Sequence, residues 1–381
     1  MPYRTAFTDN PYQLLTAALE RRPRKNHALP RMRLRPCWRY PAILVRLMCM
    51  VSLCITMEAG AGGIWISPQE TKRLPVTGLA WDNLKQAADT RVTSPRLSNQ
   101  DDPSNVRVLA KALVYARTGD ERYRQAVIVA CRQIIGTELG GRTLALGREL
   151  AAYVIAADLV SLPAADDQSF RQWLRQTLDT RLEGKSLRTT HERRPNNWGT
   201  AAGASRAAIA VYLDDADELA RTAAIFKGWL GDRNSYNGFR YRDLSWQSDP
   251  KQPVAVNPQQ AQIDGHDMDG ALPEELRRSG AFRWPPPQEN YIWTALQGAL
   301  VQAEILHRAG YPAWDWEDRA LLRTFRWLHE VADFPARGDD TWQPHIINHR
   351  YQSAFPAPVP SKPGKIMGWS DWTHGPQRLR Q

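Results

Sequence analysis

The chain has 381 residues, 43% of them hydrophobic, and a formal net charge of +10, which excludes a disordered or fibrous chain and leaves room for one large domain or two ordinary ones. The charge is unevenly placed: residues 1–61 hold ten Lys or Arg against three Asp or Glu, a net of +7, so only +3 remains for the other 320 residues. Nucleic-acid binding needs a clustered basic face on the folded part, and is therefore not expected.

In chain order, residues 1–61 read as an export signal segment. Arg31, Arg33, Arg35, Arg39 and Arg46 precede the apolar run Leu47–Met57, and Ala59-Gly60-Ala61 supplies a small-x-small cleavage site. The run is too short to span a bilayer, so no stable membrane insertion is expected once the signal is removed. Translation is expected to start near Met32, with residues 1–31 an over-long beginning. Cys37, Cys49 and Cys54 would leave with the signal, and the position before Cys49 or Cys54 lacks the small residue of a lipoprotein signal. The mature chain, residues 62–381, would be a single periplasmic or secreted domain keeping only Cys131, with no internal disulfide.

Residues 62–77 read as an extended lead-in. Helical spacing begins at Trp81–Thr90 and continues after the capping cluster Asp101–Ser104 with Val106, Leu109, Ala110, Leu113 and Val114 on one face. Thr118-Gly119-Asp120 ends that helix and starts another through Ile134. Leu144–Leu162 with Phe170–Leu182 makes a third pair, and the Ala-, Gly- and Ser-rich helix to Tyr212 with Ala216–Leu230 a fourth. Residues 231–289 break the pattern, and a long irregular segment in a compact protein is usually functional. Helices return at Tyr291–Ala309 and Trp316–Val331, before an irregular, Trp-rich tail from Pro335. Antiparallel helix pairs without βα alternation or a glycine-rich phosphate loop predict an all-α fold, an incomplete α/α toroid or barrel. No fixed period supports an α-solenoid.

Polar chemistry concentrates at His191-Glu-Arg-Arg-Pro-Asn-Asn-Trp-Gly199, ahead of the small-residue helix. Pro195 argues against a regular helix before it, and Asn is a good N-cap, so Asn196 and Asn197 fall on a buried helix's first turn. With His191, Arg193 and Arg194 they would suit a carboxylate; an ordinary Asn cap with an anchoring Trp198 explains the same residues. Asp264, His266 and Asp269 match no tight zinc or calcium loop, so no metal or cofactor is expected. The remaining clusters are Phe282–Tyr291, where Asn290 reads as a cap for Tyr291, and Trp342–Tyr351 with His345, Asn348 and His349. Abundant Trp suits a carbohydrate cleft as well as a core.

Asn196-Asn197-Trp198-Gly199 opening a small-residue helix, then Asp269-Gly-Ala-Leu-Pro-Glu-Glu-Leu-Arg-Arg278, then Asn290-Tyr291, resemble the alginate lyase superfamily of polysaccharide lyases. The resemblance spans about residues 80–330 in element order. It implies an α/α toroid with a catalytic Asn197, an arginine after the Glu-Leu segment (Arg278, with Arg283 next) and Tyr291. The well-known mannuronate lyases of the family carry histidine directly after the paired asparagines where this chain has Trp198; the imidazole role would then pass to His266 first and His191 second. β-Elimination needs donors for the charge that develops on a uronate carboxylate, which Asn197 and Arg278 could supply without a metal, and a base and an acid, tasks His266 and Tyr291 could share. The expectation is an exported lyase acting on an anionic, alginate-like uronic-acid polymer, with Asn196, Trp198, His191, Arg194, Arg283 and His349 binding substrate. Two alternatives stand beside it: an inverting glycoside hydrolase using Asp269 with Asp243 or Glu275, and a non-catalytic periplasmic polysaccharide-binding or export factor.

Overall fold

Fourteen α-helices form among the described residues; a side-chain cap starts five of them and a proline in the first turn helps start three. The computed structural model describes residues 63–376, all within one unit spanning Met57–Gln381. The expected export segment, with Cys37, Cys49 and Cys54, lies outside the described residues; Cys131 is a buried free thiol.

The helix pairs are α3 (Ser104–Thr118) with α4 (Glu121–Ile134), α5 (Thr143–Val160) with α6 (Ala164–Thr177), α8 (Asn197–Tyr212) with α9 (Ala216–Leu230), and α11 (Tyr291–Arg308) with α12 (Trp316–Arg326). Members α3, α5, α8 and α11 pack on one another in that order as an inner arc, and the others lie outside. Inner helices are buried almost all round, in keeping with their even apolar composition, whereas outer ones are amphipathic. The gap between α11 and α3 is spanned by α2 (Leu79–Asp89), α13 (Gln343–Tyr351), α14 (Ser370–Thr373) and the strands of chain between them. There Asn83 donates to the Ser361 carbonyl at 2.9 Å and Asn105 to that of Lys365 at 2.9 Å. The architecture is the expected incomplete α/α toroid.

Small residues set the inner spacing. The Ser205 hydroxyl of α8 donates to the Gly147 carbonyl (2.9 Å) and accepts the Ala151 N–H (3.0 Å), joining α8 to α5. On the other side Gln302 of α11 donates to the Thr200 carbonyl (3.0 Å). The three helices run parallel, so their N-terminal turns share one end of the arc and their last turns, at 157–160, 210–212 and 305–308, share the other.

Several expectations need correction. The lead-in contains α1 (Pro68–Arg73), nucleated by a capping box between Ser67 and Glu70. A helix, α7 (Leu187–Arg193), does precede Pro195: the proline restricts only Arg194, which is extended at φ −108°, ψ 113° and closes the helix. The irregular 231–289 stretch folds a two-residue hairpin, β1 (Gln262–Ile263) with β2 (His266–Asp267), and a short helix α10 (Pro273–Leu276). The tail contributes α13 and α14. Most tryptophans are core residues; among the described ones only Trp198, Trp284 and Trp316 are appreciably exposed.

Gly298 on α11 offers a test of the spacing. A methyl there would sit 2.4 Å from the Thr200 carbonyl carbon and 2.5 Å from its oxygen, both backbone atoms. Helix propensity favours alanine by about 1 kcal/mol, but overpacking against backbone costs about 1–3 kcal/mol. Gly298→Ala is expected to lower the thermal midpoint; an unchanged or raised midpoint would mean that α8 and α11 are not in backbone contact.

Candidate active site

The site is built at the N-terminal turn of α8. Arg194 leaves α7 extended, and its carbonyl lies so close over that first turn that a methyl at Gly199 would fall 1.8 Å from it; only glycine fits. The Trp229 indole N–H holds the Pro195 carbonyl at 2.8 Å, and the Asn196 side chain caps the helix by accepting the Trp198 N–H at 3.2 Å. Asn197 is thereby buried with its side chain at the helix mouth.

From the other side α10 brings Glu275 against it. The Asn197 backbone N–H donates to Glu275 Oε1 at 2.5 Å, and Glu275 Oε2 lies 2.9 Å from Arg278 Nε. Arg278 in turn donates to Asn197 Oδ1 at 3.0 Å, and its guanidinium lies over the Tyr291 ring, 3.8 Å from the centroid. Burial pushes the Glu275 carboxyl up, to about 8, while Arg278 and the Asn197 N–H pull against that rise. The Asn197 side-chain nitrogen, also buried, has no hydrogen-bond partner among the described residues. Tyr291 is 42% exposed, so the cluster opens to solvent at this residue. Its N–H is satisfied by Glu289 Oε1 at 3.2 Å, correcting the expected Asn290 cap, whose side chain makes no capping bond.

Asn197, Arg278 and Tyr291, drawn from three separate stretches, thus meet in one cluster. Arg283, the other candidate arginine, is exposed and makes no hydrogen bond, ion pair or ring contact among the described residues. His266 stands apart: it lies flat on Trp284, centroids 4.2 Å apart and 4° from parallel, and beside Phe282, with no hydrogen bond, ion pair or ring contact to the cluster. His191 is buried beneath α8 beside Gly203 and Gln302, and burial, with Arg206 nearby, holds its imidazole well below its ordinary value. That ring is neutral and turned into the core. His349 lines a separate pocket with His345 and His374, where burial and His374 lower it to about 4. Of the carboxylates considered for hydrolysis, Asp269 is held by Arg323 at 2.5 Å and Glu275 by Arg278.

A cleft of about 640 Å³ adjoins the cluster, with Asn196, Arg194 and Arg278 in its wall together with Arg193, Tyr241 and Glu274. Trp198 lies between the guanidiniums of Arg194 (4.6 Å) and Arg142 (4.9 Å). Sequence reasoning missed Glu275 as the link between Asn197 and Arg278. It also missed the basic wall, which the Arg240-Tyr-Arg242 alternation could have signalled.

Residues 67–338 match the family model described as alginate lyase. The chain belongs to the alginate lyase family. Among solved structures, a histidine-to-alanine form of alginate lyase A1-III complexed with tetrasaccharide shares the fold, with TM-score 0.56 and 13% identity over 86% of this chain and 98% of that one. No curated protein matches. The chain is accordingly a polysaccharide lyase, and the arrangement at α8 is its candidate active site. In this lyase no described helix is long and apolar enough to cross a membrane.

One carboxyl near the same end of the arc stands out. Glu149, on the second turn of α5, is buried, and neither oxygen has a hydrogen-bond partner among the described residues. Burial, reinforced by Asp102, pushes it up from 4.5 to about 9. Between those values the folded chain keeps a proton that the unfolded chain has lost, so stability falls as pH rises across that window. Glu149→Gln removes this dependence: its thermal midpoint relative to the wild type is expected to climb steadily from pH 5 to pH 9. A constant difference would show that Glu149 is ionised in the fold.

Proposed function

We propose that the lyase cleaves a uronic-acid polymer by β-elimination at the Asn197–Arg278–Tyr291 cluster. The observation that carries this reading is the buried Asn197 side-chain nitrogen, without a partner among the described residues and aligned by the bond its own oxygen accepts from Arg278. A buried donor without a partner costs about 1–3 kcal/mol, and a substrate carboxylate would satisfy it. The α8 N-terminus adds its partial positive charge.

Removal of the C5 proton throws charge onto the uronate carboxylate. Asn197 and Arg278 donate to that group and stabilise it as the charge grows. Tyr291 is the titratable group of the cluster that reaches solvent, and it moves the protons: off C5, and onto the departing glycosidic oxygen. His266 and Trp284 form a half-exposed stacked plate suited to a neighbouring sugar face, a place outside the proton transfer. Export of the chain to the periplasm or medium rests on the Arg31–Arg46 basic stretch, the apolar run and the Ala59-Gly60-Ala61 site.

Incubation with polymannuronate, polyguluronate and polyglucuronate is expected to raise ultraviolet absorbance from the unsaturated uronate on at least one. New reducing ends without that absorbance would mean hydrolysis and overturn the proposal. Tyr291→Phe should lower kcat by about 10²–10⁴, and Asn197→Ala should lower kcat/KM by about 10²–10³ as loss of one charge-stabilising donor does; near-wild-type rates for both would move the chemistry elsewhere. For export, protein recovered from its native source should begin at Gly62, and an N-terminus upstream of Leu47 would count against it.

A further inference from the structure

The cleft beside the cluster carries far more positive charge than the folded chain neutralises. Arg277 and Arg278 in its wall are paired with Glu274 and Glu275. Six further cations line it, Arg181, Lys185, Arg193, Arg194, Arg240 and Arg242, and among the described residues none makes an ion pair with a carboxylate. Lys185 reaches only the Glu183 carbonyl, at 3.2 Å, and Arg194 only the Trp198 face. Arg194 is depressed below the ordinary arginine value by burial and then by Arg242 and Arg278, as expected where like charges crowd. Some of the less exposed arginines elsewhere are paired, Arg206 between Glu218 (2.5 Å) and Glu192 (3.3 Å) and Arg350 with Glu304 through two nitrogens, whereas buried Arg148 makes no ion pair among the described residues. The cleft is therefore a site of uncompensated charge, held together by backbone contacts such as the Arg240 N–H to the Arg193 carbonyl at 2.9 Å.

The number of cations speaks to the ligand. An unsubstituted polyuronate offers one carboxylate per ring, and the reacting ring's is already matched to Asn197 and Arg278. A cleft of about 640 Å³ lies in the roughly 300–1,000 Å³ range that accommodates a drug-sized ligand, here a short run of rings. Six unpaired cations along so short a run exceed one anion per ring. Five of the six are arginines, whose planar fork pairs two oxygens of one oxyanion at a time, a match for a sulfate ester as well as for a carboxylate.

Resting on the uronate-elimination reading above, we propose that the substrate is a sulfated uronic-acid polymer, with sulfate esters on the rings flanking the cleaved one seated among Arg181, Lys185, Arg193, Arg240 and Arg242. The test uses the whole chain with heparan sulfate and chondroitin sulfate, each beside its chemically desulfated form, and alginate, at one fixed ionic strength. Initial rates are followed by unsaturated-uronate absorbance, and binding by competition with a labelled oligosaccharide. Sulfated polymer is expected to exceed its desulfated partner at least tenfold in kcat/KM, with the advantage shrinking as salt screens the cleft. In Arg181→Gln/Arg240→Gln the ratio should fall severalfold toward one. Equal or faster turnover of desulfated polymer or alginate overturns the sulfate proposal and leaves the elimination reading standing. If no polymer gains the double bond, the elimination reading fails, and the binding ratio decides this one: tenfold tighter binding of sulfated polymer supports it, and a ratio near one overturns it.

Discussion

Everything at the candidate active site hangs on the Glu275 carboxyl. One oxygen holds the Asn197 N–H and the other faces Arg278, so a single buried side chain sets both the start of α8 and the direction of the arginine above Tyr291. Removing one partner of such a buried contact leaves the other unsatisfied, at a cost of about 1–3 kcal/mol. Its value here is positional. Two long or mobile groups are held in one orientation before any ligand arrives, so little ordering remains to be done on binding.

The toroid supplies what this carboxyl needs. Parallel inner helices place several N-terminal turns at one end of the arc, where unsatisfied N–H groups and partial positive charge favour anions. Close contact at Gly298 and Thr200, and the Ser205 bridge to α5, keep those ends in register. The same end gathers cations of the cleft wall with no carboxylate partner, a Glu149 carboxyl pushed up by burial and an Asn197 donor, the last two without a hydrogen-bond partner among the described residues.

Net charge was a poor guide to this surface. With +3 over residues 62–381 the folded part looked nearly balanced, but six cations of the cleft wall have no carboxylate partner among the described residues. Acidic residues pair with arginines on the outer helices and in the core, as Glu218 and Glu304 do, while in the cleft wall only Arg277 and Arg278 are paired and Arg181, Arg193, Arg194, Arg240 and Arg242 make no ion pair among the described residues. A sum over the chain has no access to that partition.

The helix pairs, their inner and outer members and the capped start of α8 were legible in the sequence, because period, small-residue content and Asn or Ser caps act through neighbours a few residues away. The motif around Asn197, Arg278 and Tyr291 was legible too, as an order of residues along the chain. Tertiary structure alone decided which arginine of Arg278 and Arg283 reaches Asn197, that His191 turns into the core, that His266 stacks on Trp284 and that His349 belongs to another pocket. It alone revealed Glu275 as the tie between two segments 78 positions apart. Local pattern reports hydrogen bonds and burial within a turn or two of helix, whereas the meeting of distant side chains depends on how α7, α8, α10 and α11 pack, and no short stretch of sequence contains that packing.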